Sequence, residues 1–98
     1  MAQFGVHRLA SGEWVVDCQT DELSNLPTRF VAPLLDPDLV PDPIKALHPI
    51  FEIDGRELLL ATHASAAISR NELGDPLHSL ERHRYTILNA LDFLLTGV

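Results

Sequence analysis

Five histidines, one cysteine and one aspartate set inside an apolar run are the residues of this chain whose types suit chemistry: His7, His48, His63, His78, His83, Cys18 and Asp17. Metal binding or general-base catalysis by histidine needs rings or carboxylates that converge at defined distances. These histidines are scattered, and the two nearest in sequence, His78 and His83, sit at a five-residue offset that points them apart on one helix. No Glu-flanked histidine pair of metalloprotease type, phosphate loop, nucleotide fingerprint or nucleophile elbow occurs. A single cysteine excludes an intrachain disulfide and a multi-thiol metal site. Cys18 ends the run Trp14-Val15-Val16-Asp17 and reads as a small core residue rather than a nucleophile. No catalytic, cofactor-binding or metal-ligating residue is assigned, and the chain is not expected to be an enzyme.

Asp17 is less ordinary because it interrupts the apolar run of a predicted strand. Two readings stay open. Strand alternation can place it on the solvent face. Alternatively it is a buried carboxylate accepting backbone or side-chain hydrogen bonds, which would organise the core near the C-terminal helix and make the residue sensitive to neutral replacement.

The other place that suggests work is the end of the chain, where an apolar-patterned segment over 85–95 runs into Thr96-Gly97-Val98. Leu80, Ile87, Leu91 and Leu94 or Leu95 recur at spacings of three, four and seven, with Leu88 widening the stripe, and this predicts a helix over 80–95. Such a helix is roughly 24 Å long at ~1.5 Å per residue, enough to cross one side of a small sheet. Ser79 is the candidate N-cap, although position 82 is Arg where a capping box wants Glu or Gln, and Gly97 is the candidate C-cap. The stripe is expected to be buried, leaving the opposite face and the tip as the candidate working surface.

Short strands must hold that helix. Gln3–Arg8 and Trp14–Cys18 flank a polar, glycine-containing connection and predict a hairpin. Thr28–Leu34 reads as a third strand in which Pro33 belongs at an edge, a bulge or a strand end, since it donates no ladder bond. Residues 36–43 hold three prolines and three aspartates and predict an exposed loop. His48–Ile53 and Arg56–Thr62 flank Asp54-Gly55, a strong two-residue hairpin signal. Ala64–Ser69 suggests one more strand, and Arg70–Pro76 a turn-rich bridge. Antiparallel strands are expected over most of residues 3–62.

Length and composition bound the rest. A chain of 98 residues with 46% apolar content makes one domain with a modest core, to which self-association would add burial. A net charge of −7, with Arg82-His83-Arg84 as the one local basic run, argues against direct nucleic-acid binding and suits a basic protein partner. No signal-like leader and no apolar stretch near the ~20 residues of a membrane span occurs, so a cytoplasmic protein without a membrane partner is expected.

Beside these features the chain resembles the CcdB family of bacterial toxin–antitoxin toxins. Gln3-Phe4, Val16-Asp17-Cys18-Gln19-Thr20-Asp21, Arg29-Phe30-Val31-Ala32-Pro33-Leu34, Leu47-His48-Pro49-Ile50, Leu60-Ala61-Thr62 and the run from Ile87 to Val98 carry the resemblance in order and almost full length. It implies a mainly β fold, a small SH3-like antiparallel β-barrel with a C-terminal α-helix. It implies a homodimer with the terminal helices near its two-fold axis, and Phe93 and Leu94 are the interface candidates; the alternative is that both complete the monomer core. It implies binding to the GyrA subunit of DNA gyrase, trapping of the cleaved-DNA complex and neutralisation by a CcdA-like antitoxin, for which Val6–Glu13 and Asp21–Leu26 overlap the regions of recognition.

In this family the gyrase-contacting tip ends in tryptophan-glycine-isoleucine, with an asparagine four residues before the tryptophan. The corresponding positions here are Asp92, Thr96, Gly97 and Val98. Gly97 matches and Val98 is a conservative exchange, whereas Thr96 removes an aromatic anchor and Asp92 adds a charge. A weakened gyrase poison is the expectation. The alternatives are a non-poisoning homologue that keeps antitoxin binding, and a fold-related endoribonuclease, which would need a surface cluster of base, acid and phosphate-binding groups.

Overall fold

A computed structural model describes residues 2–97. Glycine in the left-handed region turns the first hairpin: Gly12 has φ of 95°, and β1 (Gly5–Arg8) pairs antiparallel with β2 (Trp14–Asp17) in the register Val6↔Val16 and Arg8↔Trp14. The strand starts at Gly5 rather than Gln3 because Phe4 itself has φ of 70°, a conformation a bulky residue enters only when its surroundings hold it. Here the Phe4 N–H donates to the Asp17 carbonyl, its own carbonyl accepts from Leu80, and its ring is fully buried.

The remaining strands are β3 (Thr28–Leu35), β4 (Ile50–Ile53), β5 (Arg56–Leu60), β6 (Ala66–Ser69) and β7 (His78–Ser79), followed by α1 (Arg84–Thr96). The sheet order is β4-β5-β3-β2-β1-β7, with β6 beside β3. β3 is shared: residues 28–31 pair with β6, and Leu34 and Leu35 pair with β5. Pro33 falls between the two, inside the strand rather than at an edge, bulge or end as expected. Its carbonyl accepts from Ala61 N at 2.8 Å, so its nitrogen, which has no hydrogen to give, faces the point where the neighbour changes.

Asp54 and Gly55 both have positive φ, 54° and 76°, and join β4 to β5 as the dipeptide predicts. This turn also reaches the other end of the sheet path, where Asp54 Oδ2 lies 3.0 Å from His78 Nε2 of β7 and Trp14 stacks near the His78 ring. The result is a mainly β, SH3-like barrel with a single C-terminal α-helix. Strands occupy less than half of residues 3–62, contrary to expectation, because 18–27 and 36–49 are loops and short 3-10 turns. In the proline-rich loop, Asp36 Oδ1 accepts from Asp38 N at 3.0 Å and caps one such turn.

The barrel interior is filled by Val6, Val16, Ala32, Leu34, Phe51, Ile53, Leu58 and Leu60, and Leu80 and Ile87 close it from the helix side. A smaller cluster of Val15, Val31 and Leu73 covers the opposite face. The helical run begins as a 3-10 turn, Glu81–His83, and becomes α only at Arg84. Ser79 is not the N-cap expected of it: the cap positions are Leu80 for that turn and His83 for α1, neither with a side-chain bond, and Ser79, within β7, only accepts from Glu81 N at 3.2 Å. Gly97 ends α1 in the left-handed conformation, with its N–H donating to the Phe93 carbonyl at 2.9 Å.

Candidate functional site

The helix divides its apolar residues between core and surface. Ile87 and Ala90 are fully buried and Leu88 and Leu91 pack partly against the core. Beyond them the stripe leaves the barrel: Leu94 is 40% exposed and Leu95 79%. Phe93 is half-buried and lines an open groove of about 530 Å³ together with Lys45, Ala46, Pro49, Thr86 and Asn89. The two expected interface residues therefore differ, Phe93 turned towards the 45–49 segment and Leu94 towards solvent.

Three of the four expected tip residues, Asp92, Thr96 and Gly97, are adjacent on the helix end and all three are exposed; Val98 lies outside the described residues. Thr96 Oγ1 donates to the Asp92 carbonyl at 2.7 Å, so the hydroxyl proton is spent inside the helix, and the methyl group and the oxygen as an acceptor are what remain to offer a partner. The Asp92 carboxylate forms no ion pair among the described residues, and it sits near the negative end of the helix dipole. Of the regions expected to meet an antitoxin, Val6 and His7 are buried within β1, whereas the 21–26 loop is exposed and presents Leu23 and Leu26.

Asp17 is the buried carboxylate of the two readings. Arg29, itself only 1% exposed, donates from Nε to Oδ1 at 3.1 Å and to Oδ2 at 2.9 Å, and its Nη2 is 2.7 Å from Oδ2. Gln19 N adds a bond to Oδ1, and Asp21 stands 3.4 Å from the same guanidinium at the surface. These partners tie β2, β3 and the 19–21 loop together, so the residue does not organise the core beside the helix as that reading supposed. Arg29 escaped notice in the sequence, although an aspartate inside an apolar strand calls for a buried cation nearby. Cys18 is buried, and burial first and the Asp17 charge second push its thiol up to about 12, against a smaller lowering by the Ala32 backbone hydrogen bond. It is an inert core residue.

The histidines are less scattered than the sequence suggests. His48 Nε2 and His63 Nδ1 are 2.8 Å apart. The β4–β5 register, in which Ile50 faces Leu59, carries on outward and puts Ala61 opposite His48, so His63 falls two residues past that point. That signal was legible once the hairpin was recognised. His7 is buried with its Nδ1 donating to the Gly74 carbonyl at 2.9 Å, and the His83 ring lies against Phe51. Among the described residues no group of three or more His, Cys, Asp or Glu side chains converges as a metal site.

A family model described as CcdB protein matches residues 3–97. The chain belongs to the CcdB family. A comparison with curated proteins gave no match. The CcdB match begins beside the left-handed Phe4 and runs to the Gly97 cap, so it takes in the barrel, the buried Asp17–Arg29 pair and the whole described tip.

Proposed function

We propose that this chain is the toxin of a bacterial type II toxin–antitoxin module, or a weakened homologue of one. In this reading it works in the cytoplasm as a homodimer, binds the GyrA subunit of DNA gyrase through the exposed end of α1, and holds gyrase on cleaved DNA. A CcdA-like antitoxin neutralises it. The chain makes and breaks no bond of its own. Its effect comes from binding one state of gyrase more tightly than the others, which shifts the population towards that state.

The observation that carries this reading is the family match over residues 3–97, which extends through the surface helix end where Leu94, Leu95 and Thr96 are exposed. Apolar side chains that leave a core and continue into solvent are suited to a protein partner. A second reading, a homologue that binds antitoxin without poisoning gyrase, is favoured by Thr96, whose hydroxyl is already bonded to Asp92. Threonine cannot bury the surface by which a tryptophan anchors an interface.

Induction in a gyrase-sensitive bacterium, with and without the cognate antitoxin, separates the two. Growth arrest relieved by co-expression of the antitoxin is the expected result. Normal growth together with stable antitoxin binding would favour the second reading, and neither arrest nor antitoxin binding would defeat both.

A further inference from the structure

We propose that the His48–His63 contact is an acid-sensitive latch: adding a proton to either ring breaks a hydrogen bond that holds segment 43–48 against the 62–64 turn. This inference concerns conformation and stands apart from the proposed action on gyrase.

The tautomers are fixed by the backbone. Ile44 N donates to His48 Nδ1 at 2.9 Å, so Nδ1 carries a lone pair and the ring proton of neutral His48 is on Nε2. That Nε2–H then donates to His63 Nδ1, 2.8 Å away, and His63 in turn carries its proton on Nε2. The rings meet edge to face, at 87°. Each ring has one unprotonated nitrogen, and both are in use as acceptors. A proton on His63 Nδ1 would face the His48 N–H, and a proton on His48 Nδ1 would face the Ile44 N–H. Switching the His48 tautomer to receive the first only moves the conflict to Ile44. Every added proton therefore costs one hydrogen bond of the chain Ile44–His48–His63.

The two rings differ in access. His63 is exposed on the 62–64 turn, whereas His48 is 8% exposed; a proton on the outer ring's Nδ1 leaves the His48 N–H without its partner or, where His48 changes tautomer, the Ile44 N–H without its own. Burial first, and His63 second, hold the His48 pKa below the ordinary histidine value, so the inner ring resists a proton of its own. The groove beside His48 is lined by Pro43, Lys45, Pro49, Ile50 and, from α1, Thr86. Lys45, in the groove lining, and His63 are both cationic when protonated, so neither favours a positive His48. The segment bears Ile44, half exposed, and the chain's one lysine, and it forms the wall of the groove opposite Phe93. Opening the latch thus reshapes the groove between this wall and α1.

Imidazole ¹⁵N spectra and amide hydrogen exchange of the intact protein test the proposal together. At pH 7.5 both Nδ1 atoms should be unprotonated. Between pH 7.5 and 5.5, as a protonated His63 turns His48 to the tautomer that faces the Ile44 N–H and segment 43–48 is released, the protection factor of the Ile44 amide should fall about tenfold, roughly what one hydrogen bond contributes, while that of the core Cys18 amide stays level. His63→Asn keeps an acceptor for His48 but has nothing to protonate, so its Ile44 amide should lose protection only at lower pH. A protonated His48 Nδ1 at pH 7.5, an Ile44 protection factor flat across this range, or a His63→Asn profile identical to wild type would each overturn the latch.

Discussion

Among single residues the dominant feature is a charge pair taken out of water. Asp17 and Arg29 are 0% and 1% exposed, and removing one partner leaves the other charge buried with part of its hydrogen bonding lost. Asp17→Asn should therefore destabilise the fold by about 3–5 kcal/mol, towards the low end because Asp21 can still face the guanidinium. Replacing both residues with apolar side chains of similar volume should recover most of that loss; urea denaturation of the single and double variants measures it. Cys18, with its thiol at about 12, should resist iodoacetamide at pH 8.5 in the native protein and react on unfolding, as intact-mass spectra would show. His48 gives a pH dependence of defined sign. Its folded pKa is lowered, so its contribution to stability is complete above the unfolded value near ~6.5 and is lost as pH falls through the folded value. The urea midpoint should decline between pH 7 and 5.5; a level or rising midpoint would contradict this.

Among the elements, the hairpin at Asp54-Gly55 and the C-terminal helix were legible because each rests on a local rule, a turn dipeptide and a 3.6-residue period. What escaped depends on distant partners. Two-residue β7 exists only because β1 pairs with it, Phe4 is held left-handed by bonds to Asp17 and Leu80, and Pro33 is accommodated where β6 gives way to β5. The same limit applies to the site: the stripe of α1 was visible, but which leucines stay outside was not, since barrel length decides that. Gly55→Ala should cost about 1 kcal/mol from its positive φ alone, no atom lying within 4 Å of the added Cβ. Ile87→Ala should cost about 2–5 kcal/mol, whereas Leu95→Ala should stay within about 0.5 kcal/mol. Thermal denaturation of both separates the helix's two roles.

For the molecule as a whole, a barrel that leaves Leu94 and Leu95 in water has apolar surface left to bury. The wild type should sediment as a dimer and Leu94→Glu, still folded, as a monomer at the same concentration; a wild type that stays monomeric far above micromolar concentration would remove Phe93 and Leu94 from any interface. The proposed gyrase docking belongs here too, because in that reading it needs tip, dimer and partner together. Poisoning through the tip is tested most directly by trapped DNA cleavage with purified gyrase, titrated with the wild type, with Thr96→Trp and with a chain lacking residues 96–98. Weak cleavage by the wild type is predicted, reached at roughly 30-fold lower concentration by Thr96→Trp, as an anchor of about 2 kcal/mol implies, and absent for the truncated chain. Background cleavage by the wild type and by Thr96→Trp, with both folded as dimers, would contradict gyrase poisoning by this helix end.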